Sequence, residues 1–175
     1  MLIWQPVTIA LVTTYYTQAV PPISTMVQGF NRQNGVVGQF DFSCHEWQLG
    51  DQHQRLEYAA KQLTLLLTQL AEQLNHVCRI SPATREKLLA DTIMEMLLRG
   101  LKHMVSSRLL EQQQIHPTFA HELQHWQQAL KLPLTRFGRL DVTCDGEYFV
   151  QRRACCMHYR RADGDYCQGC PQQKN

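Results

Sequence analysis

No stretch of this chain is both long and cleanly apolar. The opening run, MLIWQPVTIALVTTYY, is interrupted by Gln5, Pro6 and several threonines, and Pro21-Pro22 follows it. That makes a poor membrane span. The same run starts without Lys or Arg and offers no A-x-A cleavage site, so it is also a weak signal peptide. Basic residues form no long block, which argues against a nucleic-acid binder. Internal repeats are absent, and low complexity goes no further than scattered glutamines. Charged residues make up only 18% against 44% apolar, and the formal net charge is +2. That balance describes a globular chain rather than a disordered one, and 175 residues suffice for one ordinary core.

Cysteine is where the sequence is rich. There are seven, an odd number, and Cys155, Cys156, Cys167 and Cys170 fall within sixteen residues. A secreted disulfide framework would spread an even count over a short chain, so a reducing cytosol is expected. Cys44, Cys78 and Cys144 are assigned to structure. The chain opens inside a core-like segment, which suggests that an N-terminal part was lost or is lacking.

Residues 4–19 read as a buried helix or strand, with periodicity unable to choose. Residues 28–54 read as loop with a short strand around Phe40-Asp41-Phe42. Ala59, Leu63, Leu66, Leu67, Leu70, Leu74 and Val77 form one helical stripe. A second helix opens at Ser81-Pro82, an N-cap followed by proline at the first position, with a stripe from Leu88 to Val105. These two helices are expected to pack on each other. A third starts near Pro117, carries Phe119, Leu123, Trp126 and Leu130, and ends before Pro133. Asp145-Gly146 then predicts a two-residue hairpin turn between LDV and EYFV. The expected fold is mainly α: a helical body over 1–136, then a short β-hairpin leading into a cysteine-bearing segment over 137–175.

Two patterns carry chemistry. His121-Glu122-Leu123-Gln124-His125 has the letters of a zinc-protease helix, in which two histidines hold the metal and the glutamate is the general base. At about 100° per residue, however, His121 and His125 lie roughly 170° and 130° from the centre of the apolar stripe. No x-x-G-x-x-H extension follows, and nothing marks Glu147 as a third ligand. Polar residues on a wet helix face are the preferred reading, and a zinc metalloprotease is disfavoured.

The four clustered cysteines point to metal. A vicinal disulfide would strain the peptide and leave Cys167 and Cys170 unexplained. C-x-x-C aims two sulfurs at one centre, and Gly164 and Gly169 let the backbone turn back. Structural zinc normally uses two C-x₂₋₄-C knuckles, which adjacent cysteines do not readily form, whereas a 2Fe–2S cluster takes two thiolates on each iron. Four thiolates around the oxidised core sum to about −2. Arg152, Arg153, Arg160 and Arg161 would offset that charge, raise the potential and steer anionic ligands. His158 and Tyr159 adjoin the site as hydrogen-bond donors or as packing.

The stretch Arg153-Ala154-Cys155-Cys156, ten residues, Cys167-Gln168-Gly169-Cys170-Pro171 resembles the C-terminal signature of the FhuF-like ferric-siderophore reductases, C-C-x₁₀-C-x₂-C. Tyr148-Phe149-Val150 ahead of it and Tyr159-Arg160 within it agree, so the resemblance spans roughly residues 137–171. Family members are usually longer ahead of the region that begins here at Met1. The resemblance implies a 2Fe–2S cluster held by Cys155, Cys156, Cys167 and Cys170, and one-electron reduction of Fe(III) in an internalised siderophore. Its partners would be a ferric siderophore and an external donor, a ferredoxin or flavin reductase, because no Gly-rich dinucleotide motif is present. The expected place is the cytoplasm, at the periphery of the inner membrane beside a siderophore transporter. A 2Fe–2S carrier or sensor without reductase activity, and a structural zinc protein, remain the alternatives.

Overall fold

The computed structural model describes residues 3–31, 33, 37–43, 46–160 and 164–173. Cys44 and Arg161 lie outside the described residues. The chain forms two compact units, Met1–Arg79 and Ile80–Asn175. No helix among the described residues is long and apolar enough to cross a membrane.

In the first unit the ambiguous opening run is a helix, α1 (Trp4–Tyr16). Pro6 is tolerated because it sits in the first turn, where its missing N–H has no intrahelical partner to lose. Short strands β1 (Ala19–Val20) and β4 (Gln48–Leu49) pair antiparallel. Between them β2 (Met26–Phe30) and β3 (Val37–Phe42) make a hairpin, with Met26 opposite Phe42. The Phe-Asp-Phe strand was legible; its partner was not, because Gly29 interrupts the alternation at an irregularity in the ladder.

Helix α2 (Gln52–Leu74) begins at a reciprocal capping box: Gln54 N–H donates to Asp51 Oδ1 at 2.9 Å, and Asp51 N–H donates to Gln54 Oε1 at 3.0 Å. Its stripe of Leu56, Ala59, Ala60, Leu63 and Leu66 is buried, and α2 packs on α1. The helix stops short of Val77, which is 88% exposed, and Cys78 beyond it is exposed as well. Cys78 therefore has no part in a core.

The second unit is built on α3 (Pro82–Ser106) and α4 (Ile115–Leu130), packed against each other. Ser81 Oγ accepts from Thr84 N–H at 3.2 Å, the expected cap. Ile115, Phe119, Trp126 and Leu130 bury one face of α4, and Lys131 ends it in a left-handed conformation. Within its own unit each long helix has a helical partner, α1 for α2 and α4 for α3.

Strands β5 (Arg139–Val142) and β6 (Tyr148–Gln151) form the expected hairpin, which packs on α3. Its loop has three residues rather than two. Thr143 N–H donates to the Glu147 carbonyl at 2.9 Å, Gly146 N–H donates to the Thr143 carbonyl at 3.0 Å, and Gly146 takes a φ of 81°. A turn followed by a left-handed glycine fits this loop length. Cys144, in that loop, is exposed and has no packing role. The sequence division at residue 136 separates hairpin from helices, whereas the second unit holds both together, because Phe137 and Val150 are buried within it. The chain is mainly α, as its periodicity indicated.

Candidate metal centre

The site begins where β6 ends. Gln151 closes the ladder with Arg139, and the next residues turn beneath α3. There Asp91, a fully buried carboxylate, accepts three backbone hydrogen bonds. Arg153 N–H donates to both of its oxygens at 3.0 and 2.9 Å, and Ala154 N–H donates to Oδ2 at 2.8 Å. Burial pushes the Asp91 carboxyl up, and these N–H groups together with the Arg152 and Arg153 charges pull it back part of the way. The backbone directly ahead of Cys155 is thus pinned by the core of the unit.

The return arm is pinned differently. Cys170 N–H donates to the Cys167 carbonyl at 3.0 Å, closing the C-x-x-C turn, and Gly169 holds that turn against β6. Its carbonyl accepts from Arg152 N–H at 2.9 Å and from Gln151 Nε2 at 3.3 Å. Gly169 has a φ of 71°, and a Cβ there would stand 2.0 Å from the Val150 carbonyl oxygen. Only glycine fits. The loop between the arms is tied by His158 Nδ1 with the Asp165 carbonyl at 3.3 Å and by Tyr159 stacked on Tyr166 at 4.7 Å.

These anchors bring the sulfurs together across the arms. Cys155 Sγ lies 3.8 Å from Cys170 Sγ, and Cys156 Sγ lies 3.6 Å from Cys167 Sγ. All four are free thiols. Two thiolates on one tetrahedral metal, with bonds of about 2.3 Å, lie about 3.8 Å apart. A single zinc ion would bring all four sulfurs to that spacing. Among the described residues, the group of three or more donors lying mutually within 4.8 Å is His121, Glu122 and His125, and the cysteines form no such group. The arrangement is two bites side by side.

Charge is distributed unevenly between them. Arg152, only 6% exposed, donates from Nη1 to Cys167 Sγ at 3.5 Å, and its Nε stands 3.3 Å from Glu95 Oε1. Burial opposes its charge, but Glu95 and the Cys156 and Cys167 sulfurs hold it protonated. Burial would push Cys156 up too, yet the His158 N–H, Cys167 and Arg152 outweigh it, and this thiol falls below its ordinary range. Cys167 is pushed up to about 11, by burial and then by Cys156 beside it. Cys155 is raised, chiefly by burial, while Met157 N–H donates to its sulfur at 3.3 Å.

The donor set fits a 2Fe–2S cluster. Four thiols stand in two bites, backbone N–H groups point at sulfur, and Arg152 Nη2 is buried with no hydrogen-bond partner among the described residues. A buried guanidinium left short of acceptors suits a neighbouring anionic group. Of the other arginines, Arg153 is exposed and its Nε donates to the Phe137 carbonyl at 3.0 Å. Arg160 is exposed and lies over the Tyr159 ring. Glu147 pairs with Lys102 at 2.9 Å and is no partner for the histidines of α4.

Asp91 and Glu95 were not found from sequence. The signal was there: acidic residues four apart, both inside the apolar stretch from Leu88 to Leu98. A carboxylate in that position needs a buried partner.

Residues 152–172 match the family described as the FhuF 2Fe-2S C-terminal domain. All four clustered cysteines fall within the match, so the chain carries a 2Fe–2S domain of that type at this segment. No solved structure matches the chain.

Proposed function

We propose that this chain is a ferric-siderophore reductase in which Cys155 with Cys170, and Cys156 with Cys167, hold a 2Fe–2S cluster. The observation that carries the reading is the pair of cross-arm sulfur contacts, 3.8 and 3.6 Å, beside a buried arginine. When bound, such a cluster supplies one-electron transfer. The substrate is Fe(III) held by hard oxygen donors; as Fe(II) it is softer and less charged, and those donors release it.

The chain's own residues set the conditions for that exchange. Asp91 fixes the backbone ahead of the first two cysteines, and Gly169 docks the second two. Arg152 puts fixed positive charge at the Cys156–Cys167 side and favours the more negative, reduced state. Arg160, exposed on the loop, is suited to attract an anionic chelate. Electrons come from an external ferredoxin or flavin reductase, and the reading includes a place in the cytoplasm, at the periphery of the inner membrane where internalised chelates arrive.

The test uses anaerobically purified full-length protein with iron and acid-labile sulfide assayed on the same sample. Equal iron and sulfide, a reduced-state EPR signal lost in Cys155→Ser, and Fe(II) release from a ferric hydroxamate or catecholate chelate are expected. Colourless protein with stoichiometric zinc overturns the reading. The family match is confined to residues 152–172, which favours one second reading, a 2Fe–2S carrier or sensor. In that case the cluster would form and ferric chelates would not turn over.

A further inference from the structure

We propose that His121, Glu122 and His125 form a second metal site, separate from the cysteines, for a divalent first-row transition ion. The three residues occupy positions i, i+1 and i+4 of α4, so both histidines and the carboxylate rise from adjoining turns of one helix. Their donor atoms lie within 4.8 Å of one another. The imidazole rings approach to 4.3 Å between centroids at 64°, and His121 Nδ1 stands 3.3 Å from Glu122 Oε1.

The scaffold beneath is rigid. Trp126 and Ile115 are 0% exposed and Phe119 is 3% exposed, so the core fixes the rotation of α4 and hence the direction of its polar edge. The three donor atoms already stand close enough for side-chain rotation to bring them towards one ion.

Donor chemistry selects the ion. Two imidazoles with one carboxylate suit Zn²⁺, Ni²⁺, Cu²⁺ or Fe²⁺, whereas Ca²⁺ and Mg²⁺ prefer oxygen ligands throughout. Three protein donors leave further coordination positions to water, and the His121 side chain is 63% exposed, so the ion remains exchangeable. The site is a binding site and not a protease centre. Glu122 lies against His121 as a ligand would, and Glu147 is engaged by Lys102.

Zinc binding to full-length, cluster-loaded protein would be measured by competition with a chromophoric chelator, and histidine ring ¹⁵N resonances would be followed as zinc is added. Loading the cysteines first keeps their thiols from competing. One ion is expected at micromolar zinc, with shifts confined to His121 and His125. His125→Ala and His121→Ala should each weaken binding at least roughly tenfold, and Glu122→Gln severalfold, with helical circular dichroism unchanged. Equimolar Mg²⁺ should not displace the ion, while Fe²⁺ should compete under anaerobic conditions. Zinc affinity within twofold of wild type in both histidine variants overturns the proposal. So do shifts centred on other histidines. Protein that never acquires a cluster would sink the reductase reading alone; the same titration on Cys155→Ser, with thiols alkylated, still reads the histidine site.

Discussion

Replacing Arg152 with glutamine removes a buried positive charge beside the sulfurs and keeps most of the side-chain volume. Its Nη1 stands 3.5 Å from Cys167 Sγ. A unit charge at that separation, at an effective dielectric of about 20, is worth about 4.7 kcal/mol. The electron added on reduction spreads over irons, sulfides and four thiolates. If about a third of it is felt at this distance, the loss is about 1.6 kcal/mol, or a fall of about 70 mV in the one-electron potential. Glu95, 3.3 Å from the same guanidinium, deepens the fall where it stays ionised. Burial already raises its carboxyl, so part of its charge is quenched by protonation once Arg152 is gone. The assay is an EPR-monitored redox titration of wild type, Arg152→Gln, Glu95→Gln and the double variant. Arg152→Gln should titrate lower, Glu95→Gln higher, and the double variant between them. A potential within about 15 mV of wild type in Arg152→Gln, with the cluster fully loaded, refutes the electrostatic role.

Asp91→Asn turns a charged acceptor of three N–H bonds into an amide with one acceptor end; a loss of about 2–4 kcal/mol in urea unfolding is expected, with lower iron content per chain, and no change in either would contradict the anchoring. Gly146→Ala and Gly169→Ala both place alanine at positive φ, but only the second drives its Cβ into a carbonyl. The first should lose about 1–2 kcal/mol by thermal melting, while the second should abolish cluster loading; equal effects would mean that the turn at Gly169 is not docked as described. Trp126→Ala, at a fully buried site, should destabilise by about 3–5 kcal/mol in the same melts.

What could be read from sequence follows from distance along the chain. The cysteine spacing, the Ser81-Pro82 start and the end of α4 before Pro133 are local, and local chemistry decides them. The hairpin was legible, though its loop is one residue longer, because Asp-Gly marks a turn without counting its residues. For Asp91 the apolar stretch around it signals a buried partner but not which one, because the partners are backbone amides 62 and 63 residues away. Partner choice between stripes was illegible for a related reason. The leucine rows on α2 and α3 show which face is buried, but not that α1 and α4 are the helices met within each unit. Of the arginines, the sequence placed four near the cysteines. Burial singles out Arg152, with Arg153 and Arg160 exposed.

Because each sulfur contact joins one arm of the loop to the other, the same geometry sets how the site fails in air. Oxygen can take two electrons and two protons from either pair, closing Cys155 to Cys170 or Cys156 to Cys167 from 3.8 or 3.6 Å to a disulfide of about 2.05 Å. Neighbouring Cys155 and Cys156 would instead have to strain the peptide between them. Oxidised protein should therefore bleach while keeping its loop shut, and peptide mapping should recover cross-arm bridges rather than a vicinal one. Such a protein loses its colour before its shape, and a thiol reductant restores the four sulfurs to where they began.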